Sequence, residues 1–176
     1  MLGTGPVGLM FIQLLSGAGA QVIAVGKGAR RLEAARACGA QTVLNLAEMA
    51  DPTAGIRGET PEELGPDLVI EAVGRPAAWS QGIAWVRPGG RVLLFGGCPA
   101  GTEVPLDTRR MHYDEITLLS AFHHTPEAIR ESLDLLSRGA VRADLLVTGQ
   151  APLDDLPAIL RRMLTEQDGV KTEILP

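Results

Sequence analysis

The stretch Gly3-Thr4-Gly5-Pro6-Val7-Gly8 stands almost at the start of this chain and has the spacing G-x-G-x-x-G. In such a turn the first glycine lets the chain leave a strand sharply, and the second lets a pyrophosphate approach the backbone. The third lets helix and strand pack closely. The phosphates then meet amide groups at the start of a helix, where the helix dipole favours anions. The turn therefore predicts a phosphate-binding site.

The residues after this turn give it the setting of a βαβ unit. Residues 7–15 favour a helix, and residues 21–25 have the composition of a short buried strand. The same patterns predict helices over 30–38, 76–86, 126–138 and 156–164, and strands over 41–45, 67–71, 91–95 and 141–148. Residues 46–65 are predicted to be a mostly polar connection with a short helix at 61–64. The fold class is α/β, with a doubly wound parallel sheet.

The composition agrees with this fold class. Of the 176 residues, 45% are hydrophobic but only 3% are aromatic, as is typical of aliphatic parallel strands packed against helices. The net charge of −5 argues against a nucleic-acid partner, because binding a phosphate backbone needs a basic face. Cys38 and Cys98 are too few and too isolated for a disulfide framework or a zinc cluster, which favours a reducing, cytoplasmic setting.

The apolar start of the chain invites comparison with a signal peptide. Residues 1–20 are apolar and end in small residues, but the first basic residue is Lys27, so no positively charged region precedes them. The same run fits the helix that follows the glycine turn. No apolar run reaches the length of a membrane span, and we expect neither secretion nor a membrane partner.

Gly26 bears on the choice between NAD and NADP. At this position the usual NAD pattern has Asp or Glu, whose carboxylate binds the adenosine ribose. This chain has Gly26, followed by Lys27, Arg30 and Arg31. An acidic residue would repel a 2′-phosphate, whereas glycine leaves room for it and nearby cations pair with it. The sequence favours NADP over NAD, and the alternative is that the cations only solvate the start of the next helix.

Several segments together carry a family resemblance. Gly3, Gly74 and Gly96 lie at the carboxyl ends of predicted strands, where ligands of open α/β sheets bind. The segments 3–8, 70–74, 86–92 and 169–171 resemble medium-chain dehydrogenases, specifically zinc-dependent alcohol and polyol dehydrogenases. Residues 107–126 resemble a bacterial branch of that family that includes threonine and sugar-alcohol dehydrogenases. The resemblance covers essentially the whole chain.

The resemblance implies cofactor-binding roles for individual residues. The residues implied to approach the pyrophosphate are Gly3, Gly5, Pro6, Val7, Gly8 and, from the end of the chain, Lys171. Those implied at the adenosine ribose are Gly26, Lys27 and Arg31. Those implied to pass under the middle of the cofactor or to hold the nicotinamide are Ala72, Val73, Gly74, Phe95, Gly96, Ala121 and His123.

The resemblance also implies a domain organisation. Residues 1–147 match the Rossmann domain of the family, and residues 148–176 match a return segment that packs on an N-terminal GroES-like catalytic domain. The zinc ligands of the family lie upstream of everything in this chain, so no residue here inherits a catalytic or zinc-binding role. We therefore expect no hydride transfer by this chain alone. We also expect self-association, through the edge strand by which such domains pair or through an exposed apolar face of the return segment.

The start of the chain leaves almost no first strand before the glycine turn. In a complete Rossmann sheet, whose six strands are numbered along the chain and lie in the order 3-2-1-4-5-6, this first strand is central. Met1 and Leu2 supply at most its last residues. Without a substitute, its neighbours lose backbone partners and the domain is expected to be unstable. Relatives often have Val where Met1 stands, and a GTG codon is read as Met when it is taken as a start. We therefore hypothesise a truncated or miscalled reading frame.

Alternative functions remain open at this point. His112, His123 and His124 could suggest a metal site, but adjacent histidines in extended chain point to opposite faces and have no acidic or Cys partner at ligand spacing. A non-enzymatic nucleotide-binding fragment would bind cofactor without turnover. An S-adenosylmethionine methyltransferase could also use a glycine-rich turn, but the matches at Gly74, Gly96 and Lys171 argue against it.

Overall fold

The computed structural model of the protein describes residues 1–165 and 169–176, and these fall into two compact units. The first unit consists of Met1–Gly3 and Leu46–His124, and the second of Thr4–Asn45 and Thr125–Pro176. In chain order the helices and strands are α1 (Pro6–Gly17), β1 (Ile23–Gly26), α2 (Ala29–Ala37), β2 (Thr42–Asn45), α3 (Pro52–Gly58), β3 (Leu68–Glu71), α4 (Pro76–Trp85), β4 (Arg91–Leu94), α5 (Thr108–Tyr113), β5 (Thr117–Ser120), α6 (Pro126–Ser137), β6 (Val147–Pro152), α7 (Leu156–Thr165) and β7 (Lys171–Leu175).

The second unit contains the glycine turn and two pairs of parallel strands. Strand β1 pairs with β2, from Ile23 opposite Thr42 to Gly26 opposite Asn45, and β6 pairs with β7. The apolar side of α1 is fully buried at Leu9 and Ile12. The helix and strand predicted directly after the turn are therefore confirmed, and they place the start of α1 and the end of β1 within one unit.

The first unit is built around three parallel strands in the order β3-β4-β5. Leu2 adds a single parallel bridge to the free side of β3: its amide donates to the Ile70 carbonyl at 2.8 Å, and its carbonyl accepts from the Ala72 amide at 3.0 Å. Leu2 is buried. It thus occupies the place of the last residue of the strand that the sequence predicted to be nearly missing. The third strand of this sheet, β5, was not predicted from the sequence.

The mostly polar connection predicted over residues 46–65 contains a helix that was not predicted, α3, at its centre. The Asp51 side chain caps this helix, because its Oδ1 accepts from the amides of Thr53 at 2.9 Å and Ala54 at 3.1 Å. Pro52 then occupies the first helical position, where its missing N–H costs nothing. Buried Ile56 anchors the helix. A 3₁₀ helix over Pro61–Glu63 confirms the short helix predicted nearby.

The strand predicted over residues 141–148 is also wrong for most of its length. A 3₁₀ helix covers Ala143–Leu145, and β6 begins only at Val147. The backbone of Arg142 is bound elsewhere, since its amide donates to Gln13 Oε1 at 2.7 Å. Its guanidinium pairs with Asp144, which turns the chain locally.

None of the helices in the described parts of the chain combines the length and apolar character that a membrane crossing requires.

Candidate functional site

The glycine turn leads directly into α1, as the sequence predicts. Gly5 is the residue before the helix, Pro6 occupies the first helical position, and the Leu9 amide donates to the Gly5 carbonyl at 2.9 Å. The first turn contains no acidic residue. Because the first amides of a helix have no partner within it, those of Val7 and Gly8 are available where the dipole favours an anion.

Neither the backbone conformation nor the packing of this chain requires glycine at position 5. Its φ of −77° is ordinary for any residue. A Cβ built on Gly5 would have no heavy atom of residues 1–165 and 169–176 within 4 Å, apart from its immediate neighbours. Glycine at this position therefore leaves open space in front of the helix terminus, which is what the close approach of a phosphate group requires.

Gly26 is the last residue of β1 and lies against Thr4, the first variable residue of the glycine turn. A Cβ built on Gly26 would stand 2.7 Å from Thr4 Cγ2 and 3.0 Å from Thr4 Cβ. Both residues are buried. The absence of a side chain at position 26 thus has a packing reason in addition to the cofactor preference inferred from the sequence.

The cations near Gly26 lie at the surface of the same unit. Lys27 is exposed directly after β1, and Arg31 lies in the first turn of α2. The Arg31 Nε donates to the carbonyl of Gly169 at 3.0 Å. Lys171, which is exposed, begins β7 two residues later. The structure therefore ties Arg31 to the segment that carries Lys171, although the two cations are far apart in the sequence.

Gly3 belongs to the first unit and lies on the backbone that follows β3. Its φ of +104° is in the region that favours glycine, and a Cβ there would stand 3.0 Å from Val73 Cγ2 and 3.4 Å from the Ala72 carbonyl carbon. The predicted site residues Gly3, Ala72 and Val73 are thus brought together. Val73 is exposed over 45% of its surface, so that this segment has a solvent-facing side.

The ends of β3 and β4 meet through two more of the predicted glycines. Gly74 has a φ of +74°, and a Cβ on it would stand 2.6 Å from the Gly97 carbonyl oxygen. A Cβ on Gly96 would stand 2.8 Å from Gly74 Cα. The Trp79 Nε1 donates to the Gly96 carbonyl at 2.8 Å. Trp79 therefore packs against this junction, and both glycines are required by the close approach of the two backbones.

The remaining predicted residues of the first unit are exposed. Phe95, which follows β4, shows 38% of its surface, and Ala121 and His123 follow β5 on the surface. The Phe122 and His123 rings lie 4.2 Å apart. In the described residues no group of three or more His, Cys, Asp or Glu side chains could hold a metal ion.

Cys98 follows the junction of the two strands and has the properties of a loop residue. Desolvation raises the pKa of the Cys98 thiol above its ordinary value, and the nearby Glu71 carboxyl adds to the rise. A thiol with a raised pKa is less often the reactive thiolate. The geometry thus gives no support to a nucleophile at Cys98.

Two residues that structure the site were missed in the sequence. Glu71 was predicted only as the end of a strand, yet it is completely buried where β3 and β4 end. Thr4 was treated as the variable residue of the glycine turn, yet it packs on Gly26. A charged residue at the end of an apolar strand is a sequence signal for the role of Glu71. Nothing in the sequence indicates that Thr4 packs on Gly26.

A family model described as zinc-binding dehydrogenase matches residues 6–138. The chain belongs to this family. Sorbitol dehydrogenase of Bacillus subtilis (strain 168) is 32% identical over 178 residues, and L-threonine 3-dehydrogenase of the same strain is 30% identical over 178 residues. Both alignments cover 100% of this chain. The resemblance to the threonine and sugar-alcohol dehydrogenase branch is therefore confirmed.

Solved structures agree with the sequence comparisons. A protein of Sinorhizobium meliloti 1021, described as a zinc-binding dehydrogenase and solved bound to NADP, superposes with a TM-score of 0.90 at 28% identity over 99% of this chain. This match covers 51% of that protein's chain, and the two curated dehydrogenases are covered over 49% and 50% of their lengths. The chain thus spans about half the length of the relatives it matches, and the predicted Rossmann fold is confirmed.

Proposed function

We propose that this chain is the half of a zinc-dependent alcohol or polyol dehydrogenase that binds the nicotinamide dinucleotide. The complete enzyme would transfer a hydride between an alcohol and the cofactor. The observation that carries the proposal is Gly5, which the fold does not require to be glycine and which leaves open space before the first amides of α1. A dinucleotide pyrophosphate is the ligand that uses such a terminus in a βαβ unit.

Both units would bind parts of the cofactor. In the second unit, the turn from Gly5 to Gly8 would hold the pyrophosphate together with Lys171, and Gly26, Lys27 and Arg31 would lie at the adenosine ribose. In the first unit, Gly3 would approach the pyrophosphate. The residues that would pass under the middle of the cofactor or hold its nicotinamide half are Ala72, Val73, Gly74, Phe95, Gly96, Ala121 and His123.

NADP is the cofactor that we propose in preference to NAD. Gly26 supplies no carboxylate to bind the ribose hydroxyls, and Lys27 is exposed beside it. The Arg31 Nε donates to the Gly169 carbonyl at 3.0 Å. Because this hydrogen bond already restricts the Arg31 side chain, binding a 2′-phosphate costs it less conformational entropy. The NADP bound to the Sinorhizobium relative is consistent with this choice.

The zinc and most of the substrate pocket of the proposed enzyme would lie in a catalytic domain outside this chain. No residue of the chain is assigned to the metal. Residues 1–147 would form the cofactor-binding domain, and residues 148–176 would pack on the catalytic domain. We expect the chain alone to bind cofactor without turning over an alcohol.

The test is an equilibrium titration of the purified chain with NADPH and with NADH, followed by cofactor fluorescence. It compares the wild type with Gly5→Ala, whose new methyl group meets no protein atom but would meet a bound phosphate. Gly17→Ala is the matched control, because it lies at the other end of α1 and a Cβ there also has open space. We expect saturable binding that Gly5→Ala weakens and Gly17→Ala leaves unchanged.

Three outcomes would contradict the proposal. Binding that is insensitive to Gly5→Ala would remove the pyrophosphate from the glycine turn. If the chain binds neither NADPH nor NADH, the result favours an orphan fragment that has no cofactor-binding function of its own. Saturable binding of S-adenosylmethionine alone would favour the methyltransferase alternative.

A further inference from the structure

Glu71 is a completely buried acidic residue at the point where β3 and β4 end. Burying a carboxyl group is unfavourable unless it accepts hydrogen bonds. The Oε1 atom of Glu71 accepts from the Val73 amide at 2.6 Å and from the Gly74 amide at 2.9 Å. The side chain therefore folds back on Val73 and Gly74, in the segment that follows its own strand.

The backbone of the same residue binds the neighbouring strand end. The Glu71 carbonyl accepts from the amides of Phe95 and Gly96, both at 2.9 Å. One residue thus fixes two segments of the chain, with its side chain on Val73 and Gly74 and its carbonyl on Phe95 and Gly96. We call these five residues the Glu71 clasp.

The clasp is packed so tightly that the carboxyl group has little freedom. The second carboxyl oxygen, Oε2, is buried without a hydrogen-bond partner among the described residues. It would stand 2.9 Å from a Cβ built on Gly96. An apolar side chain would fill this space without an orphaned oxygen, but it could not hold the Val73 and Gly74 amides. A carboxyl group is thus required here because it holds the Val73 and Gly74 amides in position.

All the residues that the clasp holds are among those proposed to lie at the nicotinamide half of the cofactor. We propose that Glu71 is a positioning residue for this half: its carboxyl group sets the Val73–Gly74 backbone, and its carbonyl sets Phe95 and Gly96. This inference rests on the proposed function. It adds a residue that does not contact the cofactor and acts through the segments that do.

The strongest test replaces the acceptor while keeping the volume. Glu71→Met fills the same space but accepts no hydrogen bond from the two amides, whereas Glu71→Gln keeps an oxygen in place of Oε1. Glu131→Gln, on the exposed side of α6, is a control for loss of a carboxyl group. Each variant is titrated with NADPH and with 2′-phospho-ADP, which has the same adenosine and phosphates but neither the nicotinamide nor its ribose. NADH and ADP replace this pair if the wild type binds NADH.

We expect Glu71→Met to raise the dissociation constant of NADPH about tenfold, because two amides lose their fixed position. The constant for 2′-phospho-ADP should stay within about twofold of the wild type, since this ligand lacks the nicotinamide and the ribose that the clasp is proposed to position. Glu71→Gln and Glu131→Gln should bind both ligands as the wild type does. A general loss of folding would weaken both ligands together, so the difference between them separates positioning from structure.

Equal binding of NADPH by Glu71→Met and the wild type would overturn the inference, as would equal losses for the two ligands. If Glu71→Met does not fold, amide hydrogen exchange at Val73 and Gly74 decides: strong protection in the wild type and in Glu71→Gln supports the clasp, and exchange at the rate of exposed peptide overturns it. A wild type that binds neither dinucleotide contradicts the proposed function itself, whereas binding that is insensitive to position 71 contradicts only the role of Glu71.

Discussion

The side chain of Thr4 occupies the space that a side chain at position 26 would need. Thr4 is only 3% exposed, and its Cβ would stand 3.0 Å from a Cβ on Gly26. Rotation about χ1 can move the hydroxyl and methyl groups of Thr4 but not its Cβ. The residue types at positions 4 and 26 are thus coupled, although the two residues are remote in the sequence.

We expect Gly26→Ala to lower the free energy of unfolding by about 1–3 kcal/mol, the usual cost of overpacking a core. In a Thr4→Ala background the same substitution should cost less, because the two nearest obstructing atoms are gone. Urea unfolding of the two single variants and the double variant measures this coupling. Strictly additive losses would show that Thr4 does not restrict position 26.

Arg31 should discriminate between the two nicotinamide cofactors. We expect Arg31→Gln to raise the dissociation constant of NADPH about tenfold, as for the loss of one charged hydrogen bond, and to change that of NADH by less than about twofold. Arg36→Gln is the control, since it removes a charge from the last turn of the same helix. Fluorescence titration gives both constants, and equal effects on the two cofactors would assign Arg31 to structure alone.

Apolar side chains on α7 should cause self-association of the isolated chain. Leu160, Met163 and Leu164 are exposed over 54%, 59% and 83% of their surfaces, and a patch of this kind is typical of an interaction surface. We expect Leu160→Gln combined with Leu164→Gln to shift the chain towards monomer in sedimentation velocity. Arg161→Gln is the control on the same helix, and unchanged association in the double variant would place the contact elsewhere.

The sequence predicted those parts of the fold that have a local signal. The strands at 23–26 and 68–71 were found because short aliphatic runs end there in turn residues. Helix α3 was missed because Gly55 and Gly58 hide it, although Asp51 and Pro52 are a readable helix start. The start of β6 was misplaced because the Arg142 amide binds Gln13, a contact between residues remote in the sequence.

The same distinction holds for the candidate site. The glycines of the turn were found because each serves a steric need that recurs in dinucleotide-binding folds. The burial of Glu71 and the contact of Thr4 with Gly26 depend on which strands lie side by side. The charged residue at the end of an apolar strand is a sequence signal for the first, but no spacing rule predicts the contact of Thr4 with Gly26, which only the three-dimensional structure shows.

The most direct test of the central claim is to locate the bound dinucleotide by ¹⁵N NMR titration of the chain with NADPH. We expect amide shifts that saturate at one equivalent and are largest at Gly5 and Gly8 in the turn and at Gly74 in the Glu71 clasp. Saturable shifts confined to other parts of the chain, or no saturation at all, would contradict the account.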